Sequence, residues 1–164
     1  MMSHPTGVSE NLSRDGLIAA TLTAWTTHAC SELSARGIAS SAGLNASAIY
    51  YYFDDLEHLY EAAQGKAIAE AERWLRTRSA ALDDSVAITD LPSCALAPLL
   101  ASLIDDWSEQ ARPLAFAWRE CQLLAARNPR FTPLRDAWNA LWRHFCTDIC
   151  GRFGAAWAAE AVFF

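Results

Sequence analysis

Apolar residues recur at three- and four-residue spacing along almost the whole chain, and runs that alternate with period two are absent, so the pattern predicts helices only. Ile18, Leu22 and Trp25 share one face of a first helix from about Arg14 to Thr27, with Ser13 placed as its N-cap. Ser34 can cap a short second helix that runs through Ser41. Ala42-Gly43-Leu44 reads as a turn, and Asn45 can cap a third helix through Tyr52. A long fourth helix follows Asp54 or Asp55, and its stripe of Leu56, Leu59, Tyr60, Ala63, Ala67 and Trp74 extends to about Leu82. Asp83 to Pro92 is poor in helix formers and reads as a loop. Further helices are expected at about Ser93 to Gln110, Leu114 to Arg127 and Pro133 to Phe153. The last would start with Thr132 as cap and Pro133 in the first helical position.

With 164 residues, 52% apolar and 20% charged, the chain has the composition of one ordinary globular domain or two small ones. No run approaches the roughly 18 apolar residues of a membrane span, so a cytoplasmic protein without membrane contact is expected. Five cysteines, at 30, 94, 121, 146 and 150, include no CxxC pair and read as reduced thiols. Net charge is −6, and residues 1–66 hold three basic groups (Arg14, Arg36, Lys66) against seven acidic ones. Six of seven tryptophans lie beyond residue 70, which implies a large C-terminal core or an apolar pocket.

The chemistry-bearing pattern sits at Ile38-Ala39, Gly43-Leu44 and Ile49. A helix-turn-helix needs a small residue where two helices cross and a Gly four residues later for positive φ. It also needs an apolar neighbour to that Gly and a branched anchor on the second helix. Ala39, Gly43, Leu44 and Ile49 supply these, as they would in a helical hairpin with no DNA role. The wider string runs from Ser13-Arg14 through Leu33-Ser34-Ala35-Arg36-Gly37-Ile38-Ala39 and Ala42 to Phe53, with its Tyr50-Tyr51-Tyr52-Phe53 ending, to Leu56-Glu57-His58-Leu59. It resembles the head of the TetR family of bacterial transcriptional regulators.

That resemblance implies an all-α fold, with a helix-turn-helix DNA-binding domain at 1–66 and a helical ligand-binding and dimerisation domain at 67–164. It implies that Ser34 holds a phosphate and that Arg36 reaches a base edge. Asn45, Ala46, Ser47, Ala48 and Tyr51 would belong to the groove-facing third helix, Tyr50 and Tyr52 would bond phosphates, and Arg14 would approach the flanking backbone. Where the family usually has a lysine this chain has Leu56, and residues 45–52 carry no charge, so sequence-independent attraction to DNA is expected to be weak.

Trp107, Phe116, Trp118 and Cys121 lie where family ligand pockets occur. In the last predicted helix, Leu134, Trp138, Trp142, Phe145, Ile149 and Phe153 form one stripe. Arg135, Asn139, Arg143, Cys146 and Cys150 form another, so one face is expected to meet the core and the other a twofold-related copy. The apolar segment Ala155 to Phe164 would shorten or rebuild the usual interface, with Val162, Phe163 and Phe164 buried. No Gly-rich phosphate loop, nucleophile elbow or HExxH occurs, so no catalytic residue, cofactor or metal is expected. The expected function is a homodimeric, ligand-responsive regulator of double-stranded DNA, a repressor released by a small apolar or aromatic effector. The alternative is a helical dimerisation or adaptor protein whose head has weak or lost DNA binding, which the acidic balance favours.

Overall fold

A computed structural model of the chain describes residues 7–85 and 96–152. Seven helices follow in order: α1 (Gly7–Ala24), α2 (Ala35–Ser41), α3 (Ser47–Tyr52), α4 (Leu56–Ser85), α5 (Leu96–Glu109), α6 (Arg112–Arg127) and α7 (Thr132–Arg152). Single 3-10 turns at Cys30–Glu32 and Pro129–Phe131 join α1 to α2 and α6 to α7. No strand occurs among the described residues, and no helix there is long and apolar enough to cross a membrane.

Four of the boundary differences from expectation have a local reason. Ser13 lies inside α1 rather than at its start, because no Gly or Pro interrupts Val8 to Leu12. The helix closes at Ala24, where the Thr26 and Thr27 hydroxyls donate to the carbonyls of Thr23 and Ala24 at 2.7 and 3.2 Å. Pro113 lies within the first turn of α6, a position that requires no backbone donor. Thr132 is already helical, at φ −55° and ψ −46°, and the cap moves to Asn128. That residue is extended, as a position before proline should be, and its Oδ1 accepts from Arg130 N–H at 3.0 Å. α4 runs on to Ser85. The rest of the expected Asp83–Pro92 loop, Cys94, Phe153 and the Ala155–Phe164 segment lie outside the described residues.

α4 is the axis of the molecule. Its 30 residues span about 45 Å at 1.5 Å per residue. Ala63, Ala67 and Ala71 recur at i, i+4, i+8 and are fully buried, so neighbouring helices can approach α4 closely. α1 from the head and α6 and α7 from the body pack most extensively against it, and α5 reaches it through Trp107 and Asp106. The buried cluster is therefore continuous from Leu17 and Trp25 through Ile49 and Leu59 to Phe131 and Trp138. A second, smaller cluster of Leu75, Phe145, Cys146 and Ile149 extends it along the C-terminal half of α4.

Candidate nucleic-acid interface and ligand cavity

The turn between α2 and α3 is set by the single positive φ among the described residues, Gly43 at +71°. Its N–H donates to Ser40 C=O at 3.0 Å, and Leu44 N–H donates back to Ala39 C=O at 2.8 Å. This paired closure satisfies the last carbonyls of α2 and turns the chain sharply. Ala39 and Ile49 are fully buried at the crossing, so the spacing read from the sequence corresponds to a packed helix-turn-helix.

Capping side chains fix both short helices. Ser34 Oγ accepts from Gly37 N–H at 3.2 Å, which leaves the hydroxyl proton to be donated elsewhere. Asn45 Oδ1 accepts from Ala48 N–H at 3.1 Å and from the Ser47 hydroxyl, so Asn45 determines where α3 begins. Tyr50 and Tyr51 are 63% and 68% exposed, which is unusual for large rings. Tyr52 is half-buried, stacked edge-on by Tyr51 at 4.8 Å between centroids. Ser47 is exposed, while Ala46 and Ala48 are half-buried, and Ala48 packs on the core. Together Ser13, Asn45, Ser47, Ala48 and the three tyrosines line an open groove. Arg14 is positioned nearby, its guanidinium 5.1 Å above the Phe53 ring. Arg36 is exposed on α2, and Leu56, where the resemblance leads one to look for lysine, is half-buried against the core.

The acidic start of α4 faces the body. Arg130, in the α6–α7 turn, donates two bonds to Glu61 at 2.7 and 2.8 Å and a third to Asp55 at 2.9 Å, with Glu57 at 3.5 Å. Asn128 Nδ2 adds a bond to Glu57 at 2.9 Å. The His58 backbone N–H and the Arg130 guanidinium hold the Asp55 carboxyl below the usual carboxylate range. The negative charge counted in the head is thus partly matched by a cation from the body. No sequence pattern announced this pairing, because 69 to 75 residues separate its partners.

A buried polar network joins head to body more deeply. Glu120 of α6 is 2% exposed. Its Oε2 accepts from Cys30 N–H in the turn before α2 at 3.0 Å, and its Oε1 from Arg119 Nη2 at 3.2 Å. The Tyr60 hydroxyl donates to Cys30 C=O at 3.3 Å. The fully buried Gln64 donates to Ala117 C=O at 2.8 Å and accepts from Trp138 Nε1 at 3.0 Å, tying α4 to α6 and α7. Each buried polar atom named here has its partner, as burial requires. A readable trace did exist: Glu120 interrupts the apolar stripe of Leu114, Ala117, Cys121 and Ala125.

Beyond this network a cavity of about 740 Å³ opens between α4, α5, α6 and α7. Its walls include Trp74, Trp107, Phe116, Trp118, Trp142 and Phe145. Trp107 meets Trp74 and Trp142 edge-to-face, at 5.4 and 4.8 Å between centroids. Three of the four residues proposed from sequence, Trp107, Phe116 and Trp118, line it. Cys121 does not: it is fully buried in the main core, where desolvation pushes its thiol up to about 12. Asn139, Cys146 and Cys150, placed on the second stripe of α7, also line the cavity, so this part of the stripe faces α5 rather than solvent. Trp74 and Trp142, which periodicity places on apolar stripes without naming a cavity, and Arg119, which it does not mark, line the cavity as well. Among the described residues no cluster of His, Cys, Asp or Glu is arranged to hold a metal.

The described residues form a helical fold with a Gly-turned helix-turn-helix at one end and an aromatic cavity at the other. Residues 17–63 match the family model described as bacterial regulatory proteins, tetR family. The fold, head and body together, is similar to the solved structure of a protein described as a transcriptional regulator from Streptomyces coelicolor A3(2). The TM-score is 0.67 and the identity 23%, over 92% of this chain and 82% of that one. Among curated proteins none matches.

Proposed function

We propose that the protein is a dimeric, ligand-responsive repressor of double-stranded DNA, with a DNA-binding domain at 1–66 and a ligand-binding and dimerisation domain at 67–164. Each copy would lay α3 in a major groove. The observation that supports this most is the exposure of Tyr50, Tyr51 and Ser47 on a helix held rigidly by the Gly43 turn and the Asn45 cap. In this reading Arg36 and α3, with Asn45, Ala46, Ser47, Ala48 and Tyr51, read bases. Ser34, Tyr50, Tyr52 and Arg14 hold phosphates. The cavity admits a small apolar or aromatic effector, a role its volume and lining suit. Effector binding favours a spacing of the two heads that no longer fits successive grooves, so operator affinity falls.

The test is retention on heparin at low salt, followed by selection from random duplexes. Enrichment of a palindromic site is expected, with half-sites about one helical turn apart or a multiple of it. A protein that dimerises yet enriches nothing would be the adaptor that the acidic balance suggests. Arg130 weakens that alternative by neutralising part of the acidic α4 start from the body side.

A further inference from the structure

Of the described residues that line the cavity, Arg119 alone carries charge, and none is acidic. Its guanidinium lies 4.5 Å above the Phe116 ring, itself part of the wall, and the side chain is 54% exposed. A site walled by indole and phenyl rings with one cation favours a flat apolar molecule bearing a negative group, and disfavours a lipophilic cation. The same guanidinium reaches the buried Glu120 carboxylate, whose other oxygen holds Cys30 N–H four residues before the Ser34 cap.

We propose that the cavity takes an aromatic carboxylate, that Arg119 binds its anionic group, and that Glu120 passes the event to the Cys30–Glu32 turn. This rests on the reading of the cavity as an effector site. Arg119 has five donors, so it can serve two carboxylates at once. Two carboxylates on one guanidinium repel each other, however. Glu120 is enclosed and can yield only by loosening its bond to Cys30 N–H. The turn that leads into α2 is then held less firmly to α6, since Glu120 is its buried partner there. The effector's charge, rather than its bulk, thereby reaches the DNA-facing head.

Three probes of equal bulk test this: naphthalene-2-carboxylate, 2-(hydroxymethyl)naphthalene and (naphthalen-2-ylmethyl)ammonium, titrated against tryptophan fluorescence with the full chain. The carboxylate should bind about tenfold tighter than the alcohol, as one charge-assisted bond predicts, and the ammonium weakest. Saturating carboxylate, but not alcohol, should speed amide exchange at Cys30–Glu32. In Arg119→Met the carboxylate and the alcohol should bind within about twofold of each other. Glu120→Gln keeps an acceptor for Cys30 N–H and removes the repulsion. It should therefore tighten carboxylate binding and abolish the exchange response, and it serves if Arg119→Met does not fold. Alcohol and carboxylate binding alike, or ammonium binding best, would overturn the assignment to an anion while leaving the cavity an effector site. A carboxylate preference with no exchange change would overturn the relay. If none of the three binds, the effector reading of the cavity itself fails.

Discussion

The helix-turn-helix and the cavity are built by opposite means. Every device that shapes the head's outer surface acts over a few residues: Ser34 on Gly37, Gly43 on Ser40, Asn45 on Ala48, Asp55 on His58. The cavity is assembled by partners far apart in the chain, with Trp74 against Trp107 and Trp107 against Trp142. A surface held by local caps survives the loss of any one of them with its neighbours in place. A cavity held by long-range packing has no such redundancy, and damage to one wall reaches the others.

The largest effect expected from that contrast is at Trp138, fully buried, 6.4 Å from Trp107 and donor to Gln64. Trp138→Ala should lower stability by about 3–5 kcal/mol and leave the Gln64 carbonyl without its donor. Urea unfolding followed by circular dichroism measures this. A loss under 1 kcal/mol would mean that the body does not depend on its long-range contacts. Next comes Arg36→Ala, expected to weaken binding at the selected site by about 1–3 kcal/mol and to relax preference at one base pair. The melting temperature should barely move, since Arg36 is exposed. Equal losses on selected and random duplexes would remove its base-reading role.

Asn45→Ala should cost about 1 kcal/mol through the lost cap and weaken DNA binding by a similar factor, because the start of α3 frays. Equilibrium unfolding and titration of one duplex compare the two. The smallest effect concerns the acidic clamp. Asp55 has a depressed pKa in the folded protein, so its contribution is present at neutral pH and is lost as pH falls through the folded value, below the ordinary range for Asp. Melting temperatures of the wild type and Asp55→Asn should differ modestly at pH 7 and converge toward pH 3. A gap that widens with acid would contradict the geometry.

How much was legible follows from the same contrast. The four positions Ala39, Gly43, Leu44 and Ile49 were readable because each acts within one turn of chain and has a distinct residue type. The helix count and the buried stripe of α4 were readable because periodicity records a face without naming what covers it. What covers it was not. Nothing in the periodicity marks Arg130 or Gln64, whose partners lie 53 to 75 residues away. Trp74 was one aromatic on a stripe rather than one wall of a cavity. The Asn128 cap was misassigned to Thr132 because both are good caps before a proline, and only the 3-10 turn between them decides. Among the residues carried over by resemblance, Ser34 and Asn45 prove to be caps as well as surface groups, since one hydroxyl or amide can serve both.

The unbroken hydrophobic interior from Leu17 to Trp138 bears on how this molecule comes apart. Gln64 and Glu120 bind partners 53 to 90 residues away, so neither half can open without exposing a polar atom that only the other half satisfies. Unfolding should be cooperative, with one calorimetric transition whose van't Hoff and measured enthalpies agree. A proteolytic fragment ending near Lys66 would lack the Ala117 carbonyl, the Trp138 indole and the Glu120 carboxylate. The helix-turn-helix end is in that sense a part of the molecule and not a module that could be cut free and grafted elsewhere.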